Sequence, residues 1–494
     1  MNQIFARMLT FAVMLVATIA SRLGAQVVPA TYNPALVSNL TEAMKIVFDD
    51  AIINNVVYDS EWLSRIQTDS NIRTDETTGG RWVEMAHYFQ LPAGVGARFE
   101  NEYIPMADAA VFRNSRIYLA KIQGVVEMTG DVMRRVATSE AAFLDYAAQA
   151  LPDFSKRLTN ELDRMSLGVG HGAKARVAAV SAYNSPATGQ FTVDLQAAMG
   201  VTGWGQGWLQ FLEGERVVFA STIAFPTTLL NAGASQSGRI VAIDESQATG
   251  NGRLTIEGTQ TLRDAINTAI ATNPFIFAGD TAGSSAPGAA PSGAAVGHKE
   301  IQGLLAGVDN GTILNNYNNI DRSVAANRLW RSLVIDGATT PFAGTLTEEL
   351  LTYADDESAV LGAGRVNLIL THRSGMRGYW KNLKSDRFFI DPRGQYSGGK
   401  GAQLELILGD RTVPMVVSRK LPFNTTFGLQ LDTWRRLSLG QWEWDDKTGA
   451  IWNRATDATG RRDAFYAVGQ MYEQLFCTAP RKNFRIDGLS LITG

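Results

Sequence analysis

The chain is poor in the residues that most often form metal sites and covalent bridges. Cys477 is the only cysteine in 494 residues, so no disulfide can form within the chain and no multi-cysteine metal site is possible. A single cysteine is also typical of a protein made in a reducing cytoplasm. The histidines show no ligand spacing such as HExxH, which argues against a zinc hydrolase. There are only four of them, His87, His171, His298 and His372.

The sequence also lacks the common catalytic motifs. No G-x-S-x-G elbow is present, and the glycine-rich stretch Gly394–Gly401 has no Ser or Thr after its lysine, as a phosphate-binding loop requires. The glycine groups at Gly168–Gly172 and Gly203–Gly207 do not complete a dinucleotide fingerprint. The acidic stretch Asp309–Asp321 lacks the alternating oxygen ligands and closing glutamate of a calcium loop, so we interpret it as an ordinary loop. We therefore expect no catalytic, cofactor-binding or metal-binding residues.

Neither sign of charge is in excess. Lysine and arginine total 45, aspartate and glutamate 48, and the formal net charge is −3. A sequence-specific nucleic-acid binder usually carries a basic patch or run, and none is visible here. Any contact with DNA should therefore be weak and independent of base sequence.

The most apolar run of the chain lies near its start. Met8–Ala20 is short for a transmembrane helix. It follows Arg7 and is followed by Gly24 and Ala25, a pattern typical of a secretory signal peptide. A helical arm that stays in the protein is the other interpretation, and the residues leave both open.

Length and patterning divide the chain into several parts. A chain of this length exceeds what one compact core supports, which favours two or three domains. Residues 1–75 are expected to be an arm with helical pieces. In residues 76–124, the strand-like segments Trp82–Phe89 and Ala110–Ile122 flank Leu91–Gly96, which predicts an extended two-stranded flap. We expect a neighbouring molecule to cover the apolar side chains of this flap, Phe89, Phe99, Tyr103 and Phe112.

A long helix and a β-rich region are expected next. Apolar residues recur every three or four positions from Phe143 to Met165, with Ser139 as the cap and glycines from Gly168 onward as the end. This helix belongs to residues 125–172. The short strand candidates in residues 173–280 predict a small barrel or sandwich. Residues 281–297 are almost pure Ala, Gly, Ser and Pro, which predicts a linker. The strand candidates are Ala175–Ala182, Gln190–Leu195, Arg216–Ala220, Arg239–Asp244, Arg253–Glu257 and Phe275–Ala278.

The remaining residues, 298–415 and 416–494, predict a mixed α/β region. Thr345 and Glu348 form a capping-box pattern ahead of a helix over Leu346–Ala354. Gly409-Asp410 between two apolar stretches indicates a hairpin. The other expected elements are a strand over Val366–Leu370, a helix over Met376–Leu383, hairpin strands over Leu404–Leu408 and Val413–Ser418, a helix over Asp463–Phe476 and a strand over Phe484–Leu491.

The order of these parts resembles that of the tailed-bacteriophage major capsid proteins, which share the Hong-Kong-97-like fold. Two stretches carry the resemblance. The first, Arg81–Gly172, contains Ile117–Lys121, Val125–Arg135 and Ser139–Leu167. The second, Gly344–Gly494, contains elements similar to the axial domain and to the return into the peripheral domain. These are Leu350–Asp355, Val366–Leu370, Tyr379–Leu383, the Gly409-Asp410 hairpin, Trp442–Asp446, Tyr466–Phe476 and Asn483–Leu489.

This resemblance implies an α+β capsid fold and a structural function. The arm would precede an extended loop (the E-loop), a spine helix and peripheral domain in 125–172, an axial domain in 298–415 and a return to the peripheral domain in 416–494. Residues 173–280 would be an inserted β-rich domain. The protein would be a non-enzymatic capsid subunit that forms hexamers, pentamers and an icosahedral shell around the phage genome.

The resemblance also implies partners and a location. Besides itself, the subunit would contact portal, scaffold and decoration proteins, would touch packaged DNA only non-specifically, and would not bind a membrane. It would assemble in the host cytoplasm and reside in the virion. The alternative is a secreted or surface-exposed β-rich binding protein, which cleavage near Ala25 and export would indicate.

Overall fold

The computed structural model shows a mixed α+β protein with more strand than helix. The predicted linker, the glycine-rich stretch Gly394–Gly401, most of the predicted arm and residues 139–153 of the predicted long helix lie outside the described residues. The structure describes residues 62–69, 82–90, 97, 99–100, 103, 109–129, 154, 156–184, 189–201, 204–221, 230, 237–245, 251–279, 300–339, 341–382, 404–408, 411–439, 442–446, 452–457 and 460–491.

The described elements are numbered in chain order. The strands are β1 (Gln67–Asp69), β2 (Val83–Gln90), β3 (Val111–Ile117), β4 (Ala120–Thr129), β5 (Ala173–Val180), β6 (Gln190–Ala198), β7 (Arg216–Ala220), β8 (Ser237–Asp244), β9 (Arg253–Glu257), β10 (Phe275–Ala278), β11 (Asn316–Tyr317), β12 (Ile320–Asp321), β13 (Leu333–Asp336), β14 (Leu368–Thr371), β15 (Leu404–Leu408), β16 (Arg411–Val417), β17 (Thr426–Leu429), β18 (Trp434–Ser438), β19 (Glu443–Trp444), β20 (Trp452–Asp457), β21 (Gly460–Cys477) and β22 (Phe484–Asp487). The α-helices are α1 (156–167), α2 (Gln260–Thr268), α3 (Leu304–Gly307), α4 (Glu348–Gly362) and α5 (Arg373–Asn382).

The chain divides into two compact units. Residues 1–60, 121–162 and 438–472 form the first, and residues 61–120, 163–437 and 473–494 form the second. In the first unit, β4, β19 and β20 each pair with β21. Phe154 packs there against two buried tryptophans, with ring centroids 5.6 Å from Trp442 and 6.1 Å from Trp444.

The helix predicted over Asp463–Phe476 is wrong, because this segment lies in the 18-residue strand β21. Burial alternates from Phe465 to Glu473: every second residue is buried, and the residues between them, Tyr466, Val468, Gln470 and Tyr472, are half-buried. This period of two is that of a strand. The helix-forming residues of the segment are overridden by its packing.

In the second unit, β5 to β10 form a closed antiparallel barrel in the order β10-β5-β6-β9-β8-β7. The six predicted strands are confirmed, and three of them, over 216–220, 253–257 and 275–278, have the predicted bounds. The barrel is filled by its own side chains, including Val177, Phe191, Phe219 and Ile256. Helix α2, which the sequence analysis missed, adds Leu262 to this core.

The chain passes into and out of the barrel through adjacent segments, which we call the neck (residues 168–172 and 300–303). The Gly303 amide donates to the Gly168 carbonyl at 3.0 Å, and the Glu300 amide donates to the Gly170 carbonyl at 3.2 Å. Arg164, in the last turns of α1, donates twice to the Glu300 carboxylate, at 2.5 and 3.0 Å, and both side chains are buried. Helix α1 ends at residue 167, directly before the glycines that were expected to terminate it.

A six-stranded mixed sheet in the order β13-β22-β17-β14-β16-β15 forms an α/β lobe with α4 and α5. Its core joins Leu350 and Leu351 of α4 and Tyr379 of α5 to sheet residues such as Ile369 and Phe484. The predicted hairpin is confirmed as β15 and β16, with Leu408 opposite Arg411. The residue boundary 415/416 used in the sequence analysis falls inside β16.

The capping box predicted at Thr345 and Glu348 is wrong. Helix α4 begins at Glu348, and its N-cap is Thr347, whose side chain accepts a hydrogen bond from the Leu350 amide. Both positions carry a threonine that can serve as an N-cap, but only Thr345 has an acid three residues later, so the capping-box pattern favoured the wrong threonine. The threonine that caps the helix is the one three residues before Leu350, and Leu350 and Leu351 then lie in the first turn of α4 and pack in the core.

Candidate assembly surface

Strands β2 and β3 form a two-stranded sheet of their own, which we call the ribbon. Their antiparallel register runs from Val83 opposite Ile117 to Tyr88 opposite Phe112, followed by an irregularity before Gln90. The predicted two-stranded flap is therefore confirmed. Its second strand ends at Ile117, and Ile122 belongs to β4.

The outer face of the ribbon is polar at its base and aromatic farther out. Near the base, Arg116 pairs with Glu84 at 2.8 Å and lies over the Trp82 ring. Farther along, Tyr88 and Phe112 contact each other edge to face, with centroids 4.5 Å apart, and both are exposed. This pair covers little of its own subunit.

The described residues beyond the strands are more exposed still. Phe99 is 83% exposed and Tyr103 is 95% exposed. An exposed aromatic group in this position adds nothing to the subunit's own core. Large exposed aromatic groups of this kind are typical of interaction surfaces.

The inner face of the ribbon packs on the subunit's own aromatic residues. The His87 ring lies 4.7 Å from Trp330 and 5.7 Å from Phe476, and Phe89 lies 6.0 Å from Trp330. His87 Nε2 is 2.8 Å from the Ser115 hydroxyl, and burial lowers the His87 pKa. The expectation that Phe89 is covered only by a neighbour is wrong, because Trp330 of the same chain contacts it.

A small hairpin supports the base of the ribbon. Asn318 and Asn319 both have positive φ, +51° and +67°, which is the conformation of a type I′ turn between β11 and β12. The Asn318 carbonyl accepts a 2.9 Å hydrogen bond from the Arg116 amide of β3. The Trp330 indole donates to the Tyr317 carbonyl at 3.1 Å, so hairpin and tryptophan form one support.

Buried charges hold this support in place. Asp309 is fully buried, accepts from the amides of Ile313 and Leu314, and lies 3.3 Å from Arg485 and 3.9 Å from Arg322. Burial raises its pKa, but these hydrogen bonds and charges outweigh burial and bring the pKa of Asp309 below its ordinary value.

The second member of this charge cluster is Arg322. It donates to the carbonyls of Ala306, Gly307 and Trp330, and burial lowers its pKa to about 10. The segment interpreted as an ordinary loop, Asp309–Asp321, is therefore an organised structural centre. The hydrogen-bond partners of Asp309 and Arg322 named here all belong to this chain, which fits a structural role.

The other reactive side chains are also engaged structurally. Cys477 is buried, and burial raises its pKa to about 12, so the thiol is not a nucleophile at neutral pH. Burial lowers the pKa of both His171 and His372 to about 4. Their Nδ1 atoms accept hydrogen bonds from the amides of Ala173 and Ser374, at 3.1 and 3.0 Å.

Two further features are absent from the described residues. Within them, His, Cys, Asp and Glu form no group of three or more that could hold a metal ion. Among the helices of the same segments, none combines the length and apolar character that crossing a bilayer requires.

The ribbon was predictable from the sequence, but its support was not. The exposed aromatics Phe99, Tyr103 and Phe112 were expected as apolar residues of the predicted flap. The support depends on Trp330 and Phe476, which are far apart in sequence. One local signal was available, because Asn318-Asn319 between Tyr317 and Ile320 is a typical hairpin turn.

Three solved structures similar to this chain are structures of capsids. The cyanophage A-1(L) capsid asymmetric unit is 12% identical, covers 94% of this chain and 97% of that chain, and has a TM-score of 0.41. The capsid of Myoviridae phage XM1 is 6% identical, and the match covers 87% of this chain and 91% of that chain with a TM-score of 0.35. The capsid of the native GTA particle is 9% identical, and the match covers 87% of this chain and 90% of that chain, also with a TM-score of 0.35. No protein-family model matches the chain, and no curated protein matches its sequence.

Proposed function

We propose that this chain is the major capsid protein of a tailed bacteriophage, a non-enzymatic subunit that assembles into the icosahedral head. The observation that carries the proposal is the ribbon. Its base is fixed to the subunit, while its outer aromatics, above all Tyr103 at 95% exposure, have no role in the subunit's core. The inner face of the ribbon packs on its own chain, so it is the exposed outer aromatics that a neighbouring copy would cover.

The finer assignments follow from the same proposal. The ribbon corresponds to the E-loop, α1 to the end of the spine helix, and the α/β lobe to the axial domain. The barrel is an inserted domain. Hexamers and pentamers of the subunit would close the shell, because repeated weak contacts add up in a closed symmetric assembly.

The proposed partners and location remain those of a capsid subunit. Portal, scaffold and decoration proteins would contact the shell, which assembles in the host cytoplasm and ends in the virion. With a net charge of −3, the subunit would meet packaged DNA only through weak, non-specific contacts.

The test is the assembly of a ribbon variant. In Tyr103→Ser/Phe112→Ser, each subunit loses aromatic area worth roughly 1.5–3 kcal/mol per fully buried side chain at a repeated contact. We expect the melting temperature of the unassembled subunit to stay unchanged and the yield of shells, counted by electron microscopy, to fall at least about tenfold.

The matched control is Val241→Ser, which removes a 40% exposed apolar side chain from barrel strand β8. It should assemble like the wild-type chain. Normal shells from the ribbon variant, or a wild-type chain that stays monomeric in the presence of its scaffold, would contradict the proposal.

A further inference from the structure

The α/β lobe carries two helices of opposite charge. Helix α4 contains five acidic residues and no basic one, and helix α5 contains three basic residues and no acidic one. The acidic residues are Glu348, Glu349, Asp355, Asp356 and Glu357, and the basic residues are Arg373, Arg377 and Lys381.

One face of α4 is exposed, acidic and partly apolar. Glu349, Tyr353, Asp356 and Val360 follow each other at intervals of four, three and four residues, so they lie along one side of the helix. All four are exposed, Tyr353 at 45% and Val360 at 81%. We call this row the acidic stripe.

The acid that faces inward on α4 behaves differently. Asp355 is buried and accepts two hydrogen bonds from Arg411, both at 2.5 Å. Within the described residues, Glu349 and Asp356 form no ion pair. The subunit therefore neutralises the inward acid and leaves the outward ones to solvent.

One face of α5 has the opposite character. Arg373, Arg377 and Lys381 are four residues apart and exposed, and Trp380, 40% exposed, lies beside them. The opposite side of the helix carries Tyr379, which packs in the lobe core. We call this row the basic stripe.

We propose that the acidic stripe of one subunit docks on the basic stripe of a second copy, so that copies associate head to tail in a ring. This inference rests on the proposed capsid function. Each stripe repels a copy of itself and attracts the other, which fixes the direction of the contact. Because the two contacting surfaces are different, the contact is heterologous and closes into a ring when the rotation between copies allows it. Val360, Tyr353 and Trp380 supply the apolar area that the charges orient.

The test reverses each stripe separately in the full-length chain. The acid-reversed variant is Glu349→Lys/Asp356→Lys, and the base-reversed variant is Arg373→Glu/Lys381→Glu. Alone, each should form capsomers with an association constant at least about tenfold below that of the wild type, because like charges then face each other. Native mass spectrometry at low ionic strength measures the ring population.

Mixing the two variants in equal amounts gives the sharper result. Each acid-reversed copy complements two base-reversed copies, so the mixture should regain six-membered rings with strict alternation. Five-membered rings cannot alternate, and they should stay at the level of the single variants. In the wild type, raising the salt to 1 M should weaken the rings, since the Debye length falls to about 3 Å.

The control reverses the charge of two exposed acids outside the stripes, Glu213→Lys/Glu245→Lys on the barrel connections. This variant should assemble like the wild type. The neutral variant Glu349→Gln/Asp356→Asn should lie between wild type and the acid-reversed variant. Folded variants that assemble like the wild type, or a mixture that regains nothing, would overturn the proposed contact and leave the capsid function standing. A wild-type chain that forms neither rings nor shells would overturn the capsid function itself.

Discussion

Burial lowers the pKa of both His171 and His372 and so keeps the two rings neutral, and each ring accepts a backbone hydrogen bond at Nδ1. His171 accepts from Ala173 beside the neck, where the positive charge of Arg164 adds to the effect of burial. His372 accepts from Ser374 and so caps the start of α5. Protonation of either ring would remove the acceptor and place a charge in a buried setting.

The residue-scale prediction concerns stability in acid. The unfolded chain binds a proton at His171 near pH 6.5, and the folded chain binds it only near pH 4, so stability present above pH 6.5 is lost as the pH falls through this window. For His171 the loss is about 3 kcal/mol in the free energy of unfolding. Urea unfolding at pH 7 and pH 4 measures it.

The matched variant is His171→Gln, whose amide oxygen can accept from the Ala173 amide without titrating. The fall in stability between pH 7 and pH 4 should be smaller in this variant than in the wild type. An identical fall in both would show that His171 does not contribute.

At the scale of elements, the sequence pattern predicted the structure correctly where a hairpin or a barrel strand is formed by one continuous segment. The ribbon, the β15–β16 hairpin and the six barrel strands were predicted from alternation and turn residues. Strand β21 was not, because its Ala, Gln, Glu and Met residues favour a helix locally and its partners β4, β19 and β20 are distant in sequence. The packing of Trp330 under the ribbon was not predicted for the same reason, since sequence patterns carry no information about which distant aromatic residues contact each other.

The element-scale prediction follows from the close packing of β21. A Cβ atom at Gly469 would lie 2.1 Å from Cζ2 of Trp442, the residue directly before β19. Gly469→Ala should therefore destabilise the chain by roughly 1–3 kcal/mol, as overpacking of a filled core does. Thermal unfolding followed by circular dichroism measures the effect.

Gly168→Ala is the matched control, because the nearest atom to its added methyl is 3.5 Å away. It should unfold close to the wild-type temperature. A Gly469→Ala chain as stable as this control would mean that the Trp442 ring does not pack on β21 at Gly469 as described.

At the scale of the whole molecule, the barrel combines a complete core with a firm attachment. Its strands close on themselves, and their side chains fill the interior. It is attached to the α/β lobe, where the Gly205 amide donates to Asn424 at 3.2 Å and Trp204 packs 6.5 Å from Phe427. A closed core of this kind should not depend on the rest of the chain for its fold.

The prediction at this scale is that residues 172–280 fold alone. The isolated fragment should give a β-type far-UV spectrum and one cooperative thermal transition. The same fragment with Val177→Asp, which puts a charge at a position with no exposure, should be unfolded. A wild-type fragment without a cooperative transition would show that the barrel needs the lobe to fold.

The neck has a mechanical consequence for the assembled protein. Tension applied to the chain at α1 and at α3 acts on two segments that run side by side and are joined by the Gly303–Gly168 and Glu300–Gly170 hydrogen bonds and the Arg164–Glu300 pair. These few bonds carry the load first. The barrel strands bear none of this tension until the neck has opened, so a pull on the chain at these two points reaches the barrel strands last.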